Sequence, residues 1–265
     1  MTTTLKIDKK ENGVVLITFN RPEALNAINL ESMIAFWKAI RDLQQDADLR
    51  VLVLTGEGEK AFCSGGDLVE LRGFVSQDDA RYFTRIMTDA LHTMEQLPVP
   101  VIAAINGYAL GGGSEIALAC DMRIVSDQAS FVFAAFSGIG IIPDAGTTYF
   151  LPQLVGTSKA LELSLFANGK NRVSPEEAYR LGIANRVIAH DDLAEESKAI
   201  GLQLANMATV AVGLTKRILY KSVERSLSDA LETEAQLQGV AFKTQDFQEG
   251  VMAFIEKREA NFKGE

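Results

Sequence analysis

The chain has 265 residues, 47% of them hydrophobic and 23% charged, and carries a formal net charge of −9 at neutral pH. That length supports a sizeable core, in one large domain or a domain plus an appendage, and no apolar run reaches the roughly 18 to 20 residues that would span a bilayer. The acidic balance disfavours a nucleic-acid backbone as partner.

Met1-Thr-Thr-Thr-Leu-Lys-Ile leads straight into strand-like sequence, with neither a secretory apolar core nor an Arg-rich leader. Leu5 to Lys9 and Val14 to Phe19 flank the turn signal Glu11-Asn12-Gly13 and predict a β-hairpin. A loop follows, Asn20-Arg-Pro-Glu-Ala-Leu-Asn-Ala-Ile28, and helical periodicity runs from Leu30 to Asp46. Val51-Leu-Val-Leu-Thr55 reads as a buried strand, ended by Gly56-Glu-Gly58. A glycine-bearing loop, Lys60-Ala-Phe-Cys-Ser-Gly-Gly-Asp-Leu68, comes next. Residues 69–79 look polar and mobile, and Ala80 to Leu97 predicts a further helix.

Val101-Ile-Ala-Ala-Ile105, bounded by Pro98 and Pro100, reads as a strand buried on both faces. It leads into Gly107-Tyr-Ala-Leu-Gly-Gly-Gly-Ser-Glu115 and then the helix-compatible Ile116-Ala-Leu-Ala-Cys120. Asp121 to Val125 is a short strand candidate, and Pro143-Asp-Ala-Gly-Thr-Thr148 opens a helix. From Ser158 onward strands nearly vanish and helical patterns dominate, through 158–167, 175–181, 191–206 and 226–258. The layout is α/β at the front and helical at the back, with no Pro- or Ser-rich linker between. We read an α/β core over residues 1–195 carrying a helical C-terminal region, 196–265.

Cys63 and Cys120 match no metal or redox spacing, and a reducing, cytoplasmic compartment is the expected setting. His92 and His190 have no ligand-spaced neighbours and read as structural or surface residues, so no metal site is expected.

Two glycine loops each follow a buried strand, Ser64-Gly65-Gly66-Asp67 and Gly111-Gly112-Gly113. Parallel strands place such loops on one edge of a sheet. The first amides of a helix lack intrahelical partners and sit at its positive end, so they can hold a negative oxygen. The alternative is that the glycines only let the helix pack tightly. Neither loop is a nucleotide fingerprint: Gly-Lys-Ser/Thr and Gly-x-Gly-x-x-Gly are both absent there.

Asn20-Arg-Pro…Asn26-Ala, Ala61-Phe-Cys-Ser-Gly-Gly-Asp-Leu68, Ala104-Ile-Asn-Gly-Tyr-Ala-Leu-Gly-Gly-Gly113 and Ile142-Pro-Asp-Ala-Gly146 together resemble the enoyl-CoA hydratase/isomerase (crotonase) superfamily. The similarity extends to the closing Glu249-Gly-Val-Met-Ala-Phe-Ile-Glu-Lys-Arg258. The resemblance implies a spiral of strand–strand–helix units with a helical C-terminal trimerisation region, assembled as trimers or dimers of trimers. It also implies acyl-CoA thioester substrates and an oxyanion hole made by two backbone amides, at the positions of Gly66 and Gly112. No separate cofactor is implied, since coenzyme A is part of the substrate. Ala24, Leu25, Ser64 and Leu68 match positions that line the pantetheine and adenine path. Asp67 either orients its own loop or touches substrate. Phe262 and Lys263 match a segment that approaches the coenzyme A of a neighbouring subunit, and Trp37 reads as core or subunit contact.

Glu115 matches one of the two catalytic glutamates of the hydratases; its other reading is a carboxylate favoured by the first turn of a helix. The family's second glutamate falls at Phe136, beside Ala135, and no Glu or Asp occurs between Asp127 and Asp144. Asp144, directly after the proline, is similar to an acid of dienoyl-CoA isomerases and of the ring-epoxide isomerases of phenylacetyl-CoA breakdown. The aryl-CoA dehalogenases carry a nucleophilic aspartate at a similar place. Its other reading is a helix N-cap. Glu115 with Asp144 would let a proton leave one carbon and return at another, which is double-bond migration. The alternatives are an enoyl-CoA hydratase with Glu115 as main acid/base, and a non-catalytic homologue that only binds acyl-CoA.

Overall fold

Gly13 lies at φ +76°, and a Cβ there would come within 2.3 Å of the Asp48 carbonyl oxygen, so the turn admits glycine alone. Leu5–Lys9 (β1) and Val14–Phe19 (β2) accordingly close as the expected antiparallel hairpin, with Leu5 opposite Phe19. The computed structural model describes residues 3–10, 12–133 and 139–265. Leu30–Gln44 (α1) starts where the Asn29 side chain accepts from the Ser32 amide, and it buries Met33, Phe36, Ile40 and Leu43 along one face.

Val51–Gly56 (β3) and the three-residue Ala61–Cys63 (β4) come next. Leu68–Leu71 (α2) and Gln77–Glu95 (α3) follow. Much of the stretch expected to be polar and mobile is therefore helical. α3 begins three residues before the position that periodicity suggests, because Ser76 and Asp79 form a reciprocal capping box. Then come Val101–Ile105 (β5), Tyr108–Leu110 (β6), Gly112–Ala119 (α4), Met122–Ser126 (β7) and Ser130–Val132 (β8). The chain continues through Thr147–Val155 (α5), Thr157–Leu165 (α6), Pro175–Arg180 (α7), Arg186–Ile188 (β9) and Leu193–Ala205 (α8). It ends in Thr209–Tyr220 (α9), Leu227–Ala241 (α10) and Gln245–Glu256 (α11).

The described strands form two sheets, one in the order β1-β2-β3-β5-β7-β9 and one in the order β4-β6-β8. Beyond the opening hairpin, these strands pair with one another in parallel. The central strands β3 and β5 of the larger sheet are buried on both faces, which is why they read as continuous apolar runs, whereas the edge strands β1 and β9 are largely exposed or half-buried. Alternate residues split cleanly. Val15, Ile17, Leu52, Leu54, Ala103 and Ile105 join the main core with α1, α3 and α4. Val14, Val53, Ile102, Ala104 and Ile124 pack with Leu193 and Ile200 of α8. Trp37 is half-buried against the main core, with the Arg41 guanidinium 4.9 Å from its ring.

α9 lies where periodicity predicts no helix, and the single helical pattern over 226–258 is two helices. The break falls at Phe242-Lys243-Thr244, where the Thr244 side chain accepts from the Phe247 amide and restarts the helix. α9 is tied to the core by charge: Lys216 Nζ lies 2.9 Å from Asp121, and the Tyr220 hydroxyl donates to Asp121 at 2.8 Å.

Candidate active site

Because β4 and β6 are parallel neighbours, the glycine loops that follow them leave from the same end of the small sheet. Gly65, at φ +94°, could carry no side chain: a Cβ there would stand 2.8 Å from the Leu110 carbonyl oxygen and 3.2 Å from the Gly112 nitrogen. A Cβ on Gly112 would stand 3.7 Å from the Gly66 nitrogen. The two loops thus touch backbone to backbone, and the Gly66 and Gly112 amides are neighbours.

Both amides are free for the same kind of reason. Ile28 bridges to the first loop by donating to Gly65 O at 2.8 Å and accepting from the Asp67 amide at 2.9 Å. In a parallel bridge that pattern turns the amide of the residue between, Gly66, to the opposite side. Gly112 is the first residue of α4, so its N–H has no partner in the helix. Among the described residues neither amide donates a hydrogen bond.

Glu115 sits in the first turn of α4 and is only 2% exposed. One of its carboxylate oxygens would lie 3.8 Å from a Cβ on Gly112, so the acid borders the amide pair. Its other oxygen accepts from the Asp144 amide at 3.3 Å. Burial, and then the neighbouring Asp144 carboxylate, push the Glu115 carboxyl well above the ordinary range. Burial also raises Asp144, while the bond from Glu115 favours its charged form. Both acids are thus pushed toward their protonated forms, and each makes it harder for the other to ionise.

Asp144 does not cap α5. That helix starts after Gly146, with no side chain on its first amides. Ala145 between them lies at φ +46°, a left-handed conformation that a non-glycine residue adopts at some cost. The backbone thus carries Asp144 to Glu115 through a strained turn.

The other predicted residues frame the first loop. Leu25 is left-handed at φ +52°, and its carbonyl accepts from the Ser64 amide at 3.1 Å; the Ser64 hydroxyl donates to Ala24 O at 3.4 Å. Asp67 is occupied structurally. It caps α2 through the Val69 amide and pairs with Arg21 at 3.0 Å. Burial works to raise its carboxyl, but the Arg21 guanidinium and the backbone donors outweigh that and hold it below the usual range. Leu68 is exposed at the start of α2. Phe136 lies outside the described residues, as does Ala135.

Several residues of the site's frame escape a reading by motif alone. Asn26 is buried and supports the loop: its side chain accepts from the Arg21 amide and donates to the carbonyls of Glu57 and Ala61. Arg123, buried, donates to the carbonyls of Ala117 and Cys120 at the C-terminal end of α4, where a positive charge complements the helix dipole. His190 bonds Ser126 and His92 bonds Gln96. A cleft of about 680 Å3 at the other, N-terminal edge of the large sheet is lined by Lys9, Asp46, Arg50, Phe262 and Lys263, among others. Its Asp46 is paired with Lys9. Phe262 and Lys263 thus line a cleft that includes neither Glu115 nor Asp144. No described helix is long and apolar enough to cross a membrane.

A family model for enoyl-CoA hydratase/isomerase matches residues 9–265. A crotonyl-CoA hydratase of Syntrophomonas wolfei is 35% identical over 254 residues, 96% of each chain. A 1,2-epoxyphenylacetyl-CoA isomerase of Escherichia coli is 35% identical over 258 residues, again 96% of each. The crystal structure of an enoyl-CoA hydratase from Bacillus anthracis aligns with a TM-score of 0.93 at 36% identity, over 99% of this chain and 100% of that one.

Proposed function

The chain belongs to the enoyl-CoA hydratase/isomerase family and has its crotonase-type α/β fold with C-terminal helices, and on that premise we propose that it moves a double bond along an acyl-CoA thioester. The observation that carries this reading is the contact of Asp144 with Glu115 beside the Gly66 and Gly112 amides. The thioester oxygen accepts from both amides, which stabilises the enolate formed when an α-proton leaves. The ionised acid of the pair takes that proton. The protonated acid delivers one at the γ-carbon, and the hydrogen bond between the acids returns the pair to its starting state. The amides and acids are this chain's own, so coenzyme A enters only as the handle of the substrate.

A second reading is enoyl-CoA hydration with Glu115 as main acid/base, favoured by the hydratase names of the relatives from Syntrophomonas wolfei and Bacillus anthracis. Incubation with crotonyl-CoA and with a 3-enoyl-CoA in deuterated water separates the two by mass and NMR. We expect migration and α-proton exchange with little hydration, and at least a tenfold loss of both in Asp144→Asn, about the smaller end of what one positioned acid contributes. Efficient hydration that survives Asp144→Asn would establish the second reading instead. Tight acyl-CoA binding with no turnover on either substrate would mark a non-catalytic binding protein.

We also propose that the working form is a homo-trimer or dimer of trimers in the cytoplasm. No residue of α10 is buried within its own chain, and Leu231, Phe254 and Ile255 stand exposed on the C-terminal helices. Light scattering should give a mass of three or six chains of 28.8 kDa, and a monomer would exclude this assembly. Free, buried Cys63 and Cys120 accord with a reducing compartment, and the net charge of −9 argues against a nucleic-acid partner.

A further inference from the structure

Thr147 is 1% exposed, and its hydroxyl has no hydrogen-bond partner among the described residues. A buried hydroxyl left unpaired costs free energy unless something uses it. Two other described hydroxyls share that state, Ser130 and Ser197, and neither bears on the acids. Thr147 does. It opens α5, its amide donates to the Asp144 carbonyl at 2.9 Å, and α5 packs on α4, the helix that carries Glu115. The hydroxyl favours the charged form of the Glu115 carboxyl, although it makes no hydrogen bond of full geometry to it.

Resting on the acid–base reading above, we propose that Thr147 is a positioning residue for the acid pair, a donor that the Glu115 carboxylate takes up once it has released its proton. Proton delivery moves the pair's single negative charge from Asp144 onto the more deeply buried Glu115. The Asp144 amide supplies one donor to it, and the Thr147 hydroxyl, waiting without a partner, supplies the next. Among the described residues nothing else that packs on α4 competes for the role. Asp144 and the Cys63 thiol of β4 are the titratable groups that face Glu115, and burial pushes that thiol up to about 12. Tyr108 of β6 lies under the Arg172 guanidinium, Tyr149 of α5 is exposed, and α3 presents Met87, Ala90 and Leu91.

Thr147→Val removes the hydroxyl at nearly constant volume, Thr147→Ala serves as a smaller hydroxyl-free variant, and Thr147→Ser keeps the donor. Glu115 is followed by its infrared carboxyl band in substrate-free protein across pH, and double-bond migration by its pH–rate profile. Losing a donor to the charged form should move Glu115 ionisation upward by about one unit and lower turnover about tenfold, with folding unimpaired. Thr147→Ser should restore both. Unchanged Glu115 titration in the valine and alanine variants, or a serine variant that restores neither, would overturn the proposal. Because the titration needs no substrate, a parent protein inert toward enoyl-CoA would refute the proposed activity and leave the infrared result to decide the role of Thr147.

Discussion

Glu115→Gln is expected to lower turnover by at least about a hundredfold, the range a positioned general acid or base supplies, and at the same time to make the folded protein more stable at neutral and alkaline pH. The sign follows from burial. In the unfolded chain Glu115 ionises near its ordinary value of 4.5, whereas in the fold burial and Asp144 hold the proton on to much higher pH. The stability this side chain contributes is complete below the unfolded value and is lost as pH rises through the folded one. Glutamine carries no proton to lose. The melting temperatures of parent and variant should therefore coincide near pH 4 and separate as pH rises, the variant being the higher. A variant that melts lower across the whole range would mean that Glu115 is a structural acid held by its contacts and not a strained catalytic one.

Two adjacent glycines should fail in opposite ways. Gly113→Ala would set a methyl 2.0 Å from the Cys63 carbonyl oxygen and 2.7 Å from its carbon, in a strand with no room to move. Overpacking of that severity should cost about 3 kcal/mol or more, or prevent folding. Gly112→Ala meets nothing closer than 3.6 Å, and alanine favours a helix over glycine by about 1 kcal/mol, so this variant should fold as well as the parent. Its methyl, however, would sit between the Gly66 nitrogen and the Glu115 carboxylate, where the thioester oxygen is proposed to lie. Turnover should then fall by about a hundredfold or more, the usual loss when one oxyanion donor is removed. Urea denaturation and the deuterium assay read the two effects separately. A Gly112→Ala variant with normal turnover would remove the amide pair from the mechanism.

The helix and strand boundaries show where local signals suffice. Hairpin, α1 and the long strands follow from Asn12-Gly13, the spacing of Met33, Phe36 and Ile40, and the unbroken apolar runs. β4, β6 and β8 have three residues each, too short to show a period, and only their mutual pairing makes them strands. α9 escaped because β-branched residues and Gly213 dilute its helical pattern. That glycine answers to packing: a Cβ there would come within 2.6 Å of the Pro98 carbonyl.

By itself the sequence determined the α/β class, the family pattern and the two acids worth testing, because turn chemistry, hydrophobic period and glycine runs act over a few neighbouring residues. Tertiary structure alone decided what those parts do together. It is the pairing of β4 with β6 that sets Gly66 against Gly112. It is the turn at Ala145 that brings Asp144 to Glu115, 29 positions away in the chain. It also gave Asp67 to Arg21 and left the Thr147 hydroxyl unpartnered beside an acid. Proton affinity and amide exposure depend on burial and on neighbours remote in sequence, and those exist only once the chain has folded.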